Sequence, residues 1–527
     1  MSTSTQNYSY DEVPYKSYPY RQTHPERLAT MAVLMGLTPT PIQRARILEI
    51  GCASGGNIIP MADLLPESEF VGVDLSQRAI QDGKQLAEEI GLKNITLRQA
   101  NLKDIGPDWG EFDYIVSHGV YSWIPDDAQH ALMRVCAERL SPHGVAYISY
   151  NTYPGWHMRG MIRDMMCYRA RAFNSPSDRI RHARALIDFL SQAVPAEDNA
   201  YGILLKNELN LLREKDDSYL LHEHLEDVNA PVYFYQFVER AESHGLQYLA
   251  EADFRVMAIS NFPKEISAIL QSVSSNAMEI EQYMDFVRNR MFRQTLLCRQ
   301  GLNIERSVTL DRVFSMHIAS PARPEQPATD VPNSESITFR GPSSVLTTAE
   351  PLVKAAMLKL AEAWPASIPF SQLYAASRSR LRKEPLFADA SMPTDDARKL
   401  AEAIVRGYAT SLVEVSVSPP SFVTEVSARP EVSALCRLQA QRGNMLTNRR
   451  HEMVRINDLQ RHMVQMLIGN LSLNELLDKL VGMVEQGRLM IHEQGDAIRD
   501  TVRARSILER SLEPNLRHLA IQCLLTG

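Results

Sequence analysis

The run ILEIGCASGG, residues 47–56, sets a carboxylate, Glu49, two residues ahead of Gly51. Only small residues follow, with Ala53, Gly55 and Gly56 among them. Apolar Ile47, Leu48 and Ile50 lead into the run, and NIIPMADLL, a helix-like stretch, leaves it. A strand, a turn of small residues and a helix start bring backbone N–H groups close to a ligand. A nicotinamide-dinucleotide turn would read GxGxxG, but its middle position here is Ala53, and an acid precedes the glycines. That acid would repel a pyrophosphate, whereas it tolerates a ligand carrying an ammonium. Asp74, at the end of FVGVDLS, suits the two hydroxyls of a ribose. A third apolar run leads into Ala100-Asn101-Leu102, where the Asn101 side chain can meet an adenine edge. An ammonium, a ribose and an adenine together point to S-adenosylmethionine. The predicted contacts are Glu49, Gly51, Ala53 and Gly55 at the amino-acid end, with Asp74, Leu75, Asn101 and Leu102 along the nucleoside.

Such residues need a sheet to hold them in register. Apolar runs at 46–50, 69–73, 94–98, 112–116 and 144–150 alternate with helical patterns near 55–65, 76–90 and 127–140. That succession predicts an α/β fold with a parallel, doubly wound, Rossmann-like core. Residues 156–300 read almost entirely as helix, with apolar positions at i, i+3 and i+4. The stretch 317–344 is dense in Pro, Ser and Thr and reads as a linker. Beyond it, PLVKAAMLKLAEAWPASIPFSQLYAAS and DLQRHMVQMLIGNLSLNELLDKLVGMVEQGRL share a helix–turn–helix rhythm of winged-helix type. The predicted organisation is an N-terminal cap over 1–43, the cofactor-binding core over 44–155 and a helical domain over 156–316. A linker over 317–347 and a mostly helical C-terminal domain over 348–527 complete it.

At 527 residues the chain is too long for one ordinary core. Its 44% hydrophobic and 23% charged content is that of a folded soluble protein, and a net charge of −7 gives no global basic field for nucleic acid. The six cysteines lie far apart without a CxxC, which fits a reducing compartment and argues against zinc. No secretory start and no membrane-spanning run is read, so the expected location is cytoplasmic, without membrane insertion. HEHLEDVN (222–229) holds His222, His224 and Glu226. Histidines two apart on a helix point to different faces, so an interdomain contact is expected and no metal. The basic run RSRLRK (378–383) reads as a solvated helix end.

Further stretches resemble one bacterial family: THPERLA, FDYIVSHGVYSWIP, YISYNTYPGWHMRGMIRDMM, LLHEHLEDVNAPVYFYQF, GLQYLAEADF and QYMDFVRNRMFRQTLLC. It is the class I S-adenosylmethionine-dependent methyltransferases that carry a methyltransferase regulatory domain. The best-known relatives are the rickettsial enzymes that methylate outer-membrane-protein lysines. The resemblance is close over 8–300 and looser over 348–527. It implies a Rossmann-like core, an N-terminal cap and helical domains framing a substrate cleft, with a protein lysine as methyl acceptor. In this frame SHGVYSWIP (117–125) follows the fourth strand, so His118, Tyr121 and Trp123 can line the methyl channel, His118 also touching the cofactor. Alternatively, Tyr121 and Trp123 cap the core and His118 is a satisfied loop histidine. Asn151, in YNTYPGWH, is a further candidate, although its spacing departs from the Asn-Pro-Pro-Tyr motif of amino-group methyltransferases. Its turn could equally redirect the chain. The N-terminal tyrosines Tyr8, Tyr10, Tyr15, Tyr18 and Tyr20 and THPERL can fold over the cofactor as a lid, with Tyr15 and Thr23 the foremost candidates and a structural strap as the other reading. Methylation of a small molecule or peptide natural product is the alternative activity. A non-catalytic scaffold that binds the cofactor is the alternative of another class.

Overall fold

The structure is a computed structural model that describes residues 17–326, 335–382, 394–419, 421–493, 496–498 and 500–527. The runs of the first third form strands β1 (Arg46–Ile50), β2 (Glu69–Asp74), β3 (Ile95–Gln99), β4 (Phe112–Ser117) and β5 (Leu140–Asn151). Of these, β1, β2 and β4 bury nearly every side chain, as a central parallel sheet requires, and the edge strand β3 buries Leu97 alone. Helix α1 (Pro25–Leu34) lies in the N-terminal segment, and α2 (Ile58–Leu64), α3 (Gln77–Glu89) and α4 (Asp126–Arg139) are the crossovers. Ser76 caps α3 by accepting from the Ala79 N–H at 3.0 Å. The sheet order is β3-β2-β1-β4-β5-β7-β6, with β1 to β5 parallel.

The last two strands come from the stretch read as helical. β6 (Leu246–Glu251) and β7 (Phe292–Arg299) pair antiparallel with each other, and β7 pairs antiparallel with β5. Polar Arg293 hides β7 from a hydrophobicity pattern. It is fully buried because its guanidinium meets Glu251 Oε1 and Asp285 Oδ2, each at 2.7 Å, and Glu281 Oε2 at 3.0 Å. Between β5 and β6, helices 156–170, 176–193, 200–213 and 217–224 make a bundle with its own core around Ile162, Met166, Ile187, Leu205 and Leu220.

The described part of the expected linker is packed chain. Residues 317–319 form the middle strand of a three-stranded sheet, and Ile318, Ala322 and Phe339 are buried. Proline and serine density marked irregular backbone there, but the apolar residues among them still find a core. Helices 351–363, 370–382 and 395–409 pack with that sheet, sharing a core with Leu28 and Met31 of α1. The C-terminal unit has helices 434–442, 458–466, 473–485 and 501–521, two short hairpins and a separate core. In the basic run, Arg380 pairs with Glu362 at 2.6 Å and Arg378 lies over the Tyr374 ring, while Lys383 falls outside the described residues.

Candidate functional site

Strand register brings the candidates to one edge. Glu49 lies beside Gly72 of β2 and Val116 of β4; Asp74 lies beside Gln99, two residues before Asn101. His118 directly follows β4 and Asn151 ends β5, so all five stand at the carboxyl ends of parallel strands, where open α/β sheets bind ligands.

The turn after β1 needs its small residues. Gly51 has φ +79° and donates to Val73 O at 2.8 Å, and a Cβ there would sit 2.3 Å from Val120 Cγ2. Gly56 is demanded by a close approach instead: a Cβ would lie 2.3 Å from Ser17 O. The N-terminal segment therefore crosses directly over the turn, with Ser17 Oγ accepting from the Gly56 N–H at 2.9 Å. Ala53 adopts φ +46°, and its N–H donates to Asp74 Oδ2 at 2.9 Å while the Ser76 N–H donates to Oδ1 at 2.9 Å. Asp74 is thus oriented by backbone, and a carboxylate accepts about four hydrogen bonds in all.

Glu49 is 5% exposed. Its Oε1 accepts from Asn57 Nδ2 at 2.7 Å, and its buried Oε2 has no hydrogen-bond partner among the described residues. Burial pushes its carboxyl up to about 7, opposed by the Asn57 hydrogen bond and reinforced by the nearby Asp74 charge. A buried carboxylate oxygen without a donor is costly alone and well matched to a cation. The residues therefore fit the amino-acid end of S-adenosylmethionine. Asn101 caps the 3₁₀ turn 102–104, its Oδ1 accepting from the Lys103 N–H at 3.0 Å, which leaves its amide N–H groups without a described acceptor. Leu75 and Leu102 flank these strand ends, half-buried and buried respectively.

His118 sits in an aromatic enclosure. Tyr20 lies 4.1 Å away between ring centroids, Phe292 meets it edge-on at 6.1 Å, and the Tyr147 hydroxyl is 2.9 Å from Nδ1. Burial lowers its pKa to about 4, so the imidazole is neutral at pH 7 and a weak proton acceptor. Trp123 is half-buried against Trp156. Asn151 is buried, and its Nδ2 has no described acceptor.

Tyr121 sits as its core-capping alternative has it. It is fully buried with Tyr150 and Phe237 in the core on the opposite sheet face from Tyr147, and its hydroxyl accepts from Arg240 at 3.0 Å. It caps the core because that face offers its ring apolar neighbours and its hydroxyl a donor. Thr23 is fully buried, accepting from Asn57 Nδ2 at 2.9 Å and donating to Tyr20 O at 2.8 Å. It straps the segment to the Glu49 network. Tyr8, Tyr10 and Tyr15 fall outside the described residues. His222 pairs with Glu226 at 2.9 Å and His224 is buried in the helical bundle, and no group of metal ligands occurs among the described residues. Sequence reasoning missed Asn57, Tyr147 and Phe292 and had Tyr20 among the candidate lid tyrosines. Asn57, a polar residue at the start of α2, was the one with a local signal.

Three family models match: "Methyltransferase domain" over 47–144, "Predicted methyltransferase regulatory domain" over 216–299 and "PKMT, C-terminal winged helix domain" over 428–524. The chain is 35% identical over 524 residues to uncharacterized protein RP789 of Rickettsia prowazekii, covering 98% of this chain and 93% of that protein. It is 39% identical over 249 residues to protein RP028 of the same organism, covering 47% of this chain and all of that one. PKMT2 from Rickettsia typhi in complex with AdoHcy superposes with a TM-score of 0.85 at 29% identity, covering 98% of this chain and 100% of that one. A second structure of PKMT2 from Rickettsia typhi gives a TM-score of 0.88 at 29% identity, covering 97% of this chain and 100% of that one.

Proposed function

This chain belongs to the methyltransferase family that joins a methyltransferase domain to a regulatory domain and a PKMT winged helix, and we propose that it methylates lysine side chains of a protein, using S-adenosylmethionine. The carrying observation is the buried Oε2 of Glu49, without a partner among the described residues, the feature of this fold that asks for an ammonium. Asp74 would take the ribose hydroxyls, and Asn101 with Leu102 the adenine. S-adenosylmethionine supplies a methyl group on a sulfonium, activated for in-line displacement.

The chain's own part is to position, dry and deprotonate. A lysine amine attacks only when neutral, and its ordinary pKa is about 10.4. Aromatic walls from Tyr20, His118 and Phe292, with Trp123 on the same loop as His118, would lower the dielectric around an entering ammonium and favour loss of its proton to solvent. His118, neutral near pH 7, orients the amine; its low pKa makes it a poor resting store for the proton. Asn151 Nδ2 stands where β5 ends, an orphaned donor suited to a carbonyl of the substrate chain. Accessory domains as large as 156–299 and 317–527 suit a bulky acceptor. No described helix is long and apolar enough to cross a membrane, and the six cysteines are unpaired, which supports a reducing cytoplasm as its place of action.

The test is transfer of radiolabelled methyl from S-adenosylmethionine into a bacterial lysate separated into protein, nucleic acid and small molecules. Label in protein, mapped to lysine by mass spectrometry, is expected. Label confined to small molecules would replace this reading with natural-product methylation, and none anywhere would favour a scaffold.

A further inference from the structure

The hydrogen-bond network behind Glu49 does not end in the methyltransferase domain. Asn57, 2% exposed, uses its whole amide: Nδ2 donates to Glu49 Oε1 at 2.7 Å and to Thr23 Oγ1 at 2.9 Å. Its Oδ1 accepts from the Tyr20 N–H and from His451 Nε2, each at 2.8 Å. Two backbone or carboxylate partners leave no choice of amide orientation, since Glu49 needs a donor and the Tyr20 N–H an acceptor. His451 must therefore carry its proton on Nε2.

His451 lies 394 residues from Asn57, within the C-terminal winged-helix match. It is 1% exposed, at φ +59° in the turn between strands 445–447 and 453–455. That turn is rigid. Asn448 Oδ1 accepts from the Arg450 and Glu452 N–H groups at 2.9 Å each, and the His451 N–H donates to Asn448 O at 3.0 Å. It is also anchored on both sides, by Arg449 to Asp63 at 2.9 Å and by Arg450 to Glu414 at 2.5 Å. A turn built and clamped this firmly delivers one buried imidazole N–H to one amide oxygen.

We propose that His451 is a positioning residue of the cofactor site: from the winged-helix domain it fixes the Asn57 amide, which holds Glu49 for the cofactor's ammonium. The cofactor pocket is complete only with that domain docked. The proposal rests on the reading of Glu49 as the ammonium's partner. Without the His451 donor, Asn57 Oδ1 keeps the Tyr20 N–H and a longer contact from Thr23 Oγ1 at 3.2 Å, the amide can tilt, and its hold on Glu49, whose only donor among the described residues it is, loosens. The groups facing Glu49 are Asn57, Asp74 and the Cys52 thiol, and those facing His451 are Asn57 and His24, whose ring is 5.3 Å away.

The experiment compares full-length wild type, His451→Phe, His451→Gln and Glu49→Gln by S-adenosylmethionine titration and steady-state kinetics between pH 5.5 and 8.5. Phenylalanine keeps the ring and removes the donor, and glutamine restores a donor at about the position of Nε2. For His451→Phe, the expected result is cofactor Kd and KM raised about tenfold. Its kcat at saturating cofactor should stay within about twofold, and the pH midpoint for binding should move up. His451→Gln is expected to recover most of the affinity and the midpoint. Wild-type binding by His451→Phe, or equal weakness in both variants, would overturn the proposal. Loss of affinity in Glu49→Gln alone would discard the positioning role and keep the site; unchanged affinity in Glu49→Gln would discard the site reading as well. In case His451→Phe fails to fold, nitrogen-15 histidine NMR of the wild type gives the same decision. A neutral Nε2–H tautomer whose resonance moves on adding S-adenosylhomocysteine is expected, and a resonance blind to it would overturn the role.

Discussion

Glu49 should make this protein less stable while it makes it active. In the folded chain its carboxyl is pushed from the ordinary 4.5 to about 7 by burial. The folded state therefore holds the proton more tightly than the unfolded one. Its stabilising share is full below pH 4.5, declines as pH rises towards 7 and is gone above that. Between pH 5 and pH 8 the decline amounts to about 2 kcal/mol, because stability falls by roughly 1.4 kcal/mol per pH unit wherever the folded chain holds one proton more than the unfolded chain. Glu49→Gln removes the titration and keeps the acceptor for Asn57. Its new amide nitrogen, without a partner, costs about 1–3 kcal/mol, but that cost does not vary with pH. Denaturation of both cofactor-free proteins at pH 5 and pH 8 cancels it. Relative to wild type, the variant should gain about 2 kcal/mol on going to pH 8. At the same time its S-adenosylmethionine affinity should fall about 30- to 100-fold, the worth of a buried charge-assisted contact. A stability difference that is the same at both pH values would refute the strained-carboxylate argument. Unchanged affinity would refute the ammonium site.

Other perturbations read separate links of the same chain. Gly56→Ala should push the 17–23 segment off the glycine turn, because its Cβ would lie 2.3 Å from Ser17 O. Cofactor KM should rise and that segment should become more sensitive to proteolysis; wild-type values for both would show that the segment does not close the site. Glu414 is held down to about 2 by Arg21 and Arg450 despite its burial, so its stabilisation is present above pH 4.5 and lost as pH falls towards 2. Glu414→Gln should lower the melting temperature at pH 7, by about 2–3 kcal/mol of stability, and flatten the acid limb, and an unchanged acid limb would contradict the pairing. Tyr121→Phe should leave methyl transfer near wild type, at a cost of about 1 kcal/mol for the Arg240 contact, whereas His118→Ala should lower kcat. Equal losses of kcat in the two would return Tyr121 to the channel.

Much of this was legible in the chain because β1, β2 and β4 are buried almost throughout and so read as apolar runs between turns, whereas β3, at the sheet edge, buries only Leu97. Glu49, Asp74 and Asn101 stood out since each follows or ends such a run, where a polar residue is not needed for the core. β7 was hidden by Arg293, whose burial depends on three carboxylates from elsewhere in the chain. The matched regulatory domain includes β6 and β7, so it supplies two strands of the catalytic sheet. Tyr121 illustrates a different limit: a loop just past a strand can turn an aromatic ring to either sheet face, and spacing alone does not choose. Asn57 and His451 meet only through the docking of two domains, and no local pattern encodes that.

The central claim is a cofactor site built on Glu49 and Asp74, and calorimetric titration of S-adenosylmethionine into the full chain and into Asp74→Ala tests it most directly. Saturable one-to-one binding by the wild type is predicted, with a loss of about 100-fold or more in a variant that stays folded by circular dichroism, since two ribose hydroxyls lose a charged acceptor. Equal affinity in the two proteins would contradict it.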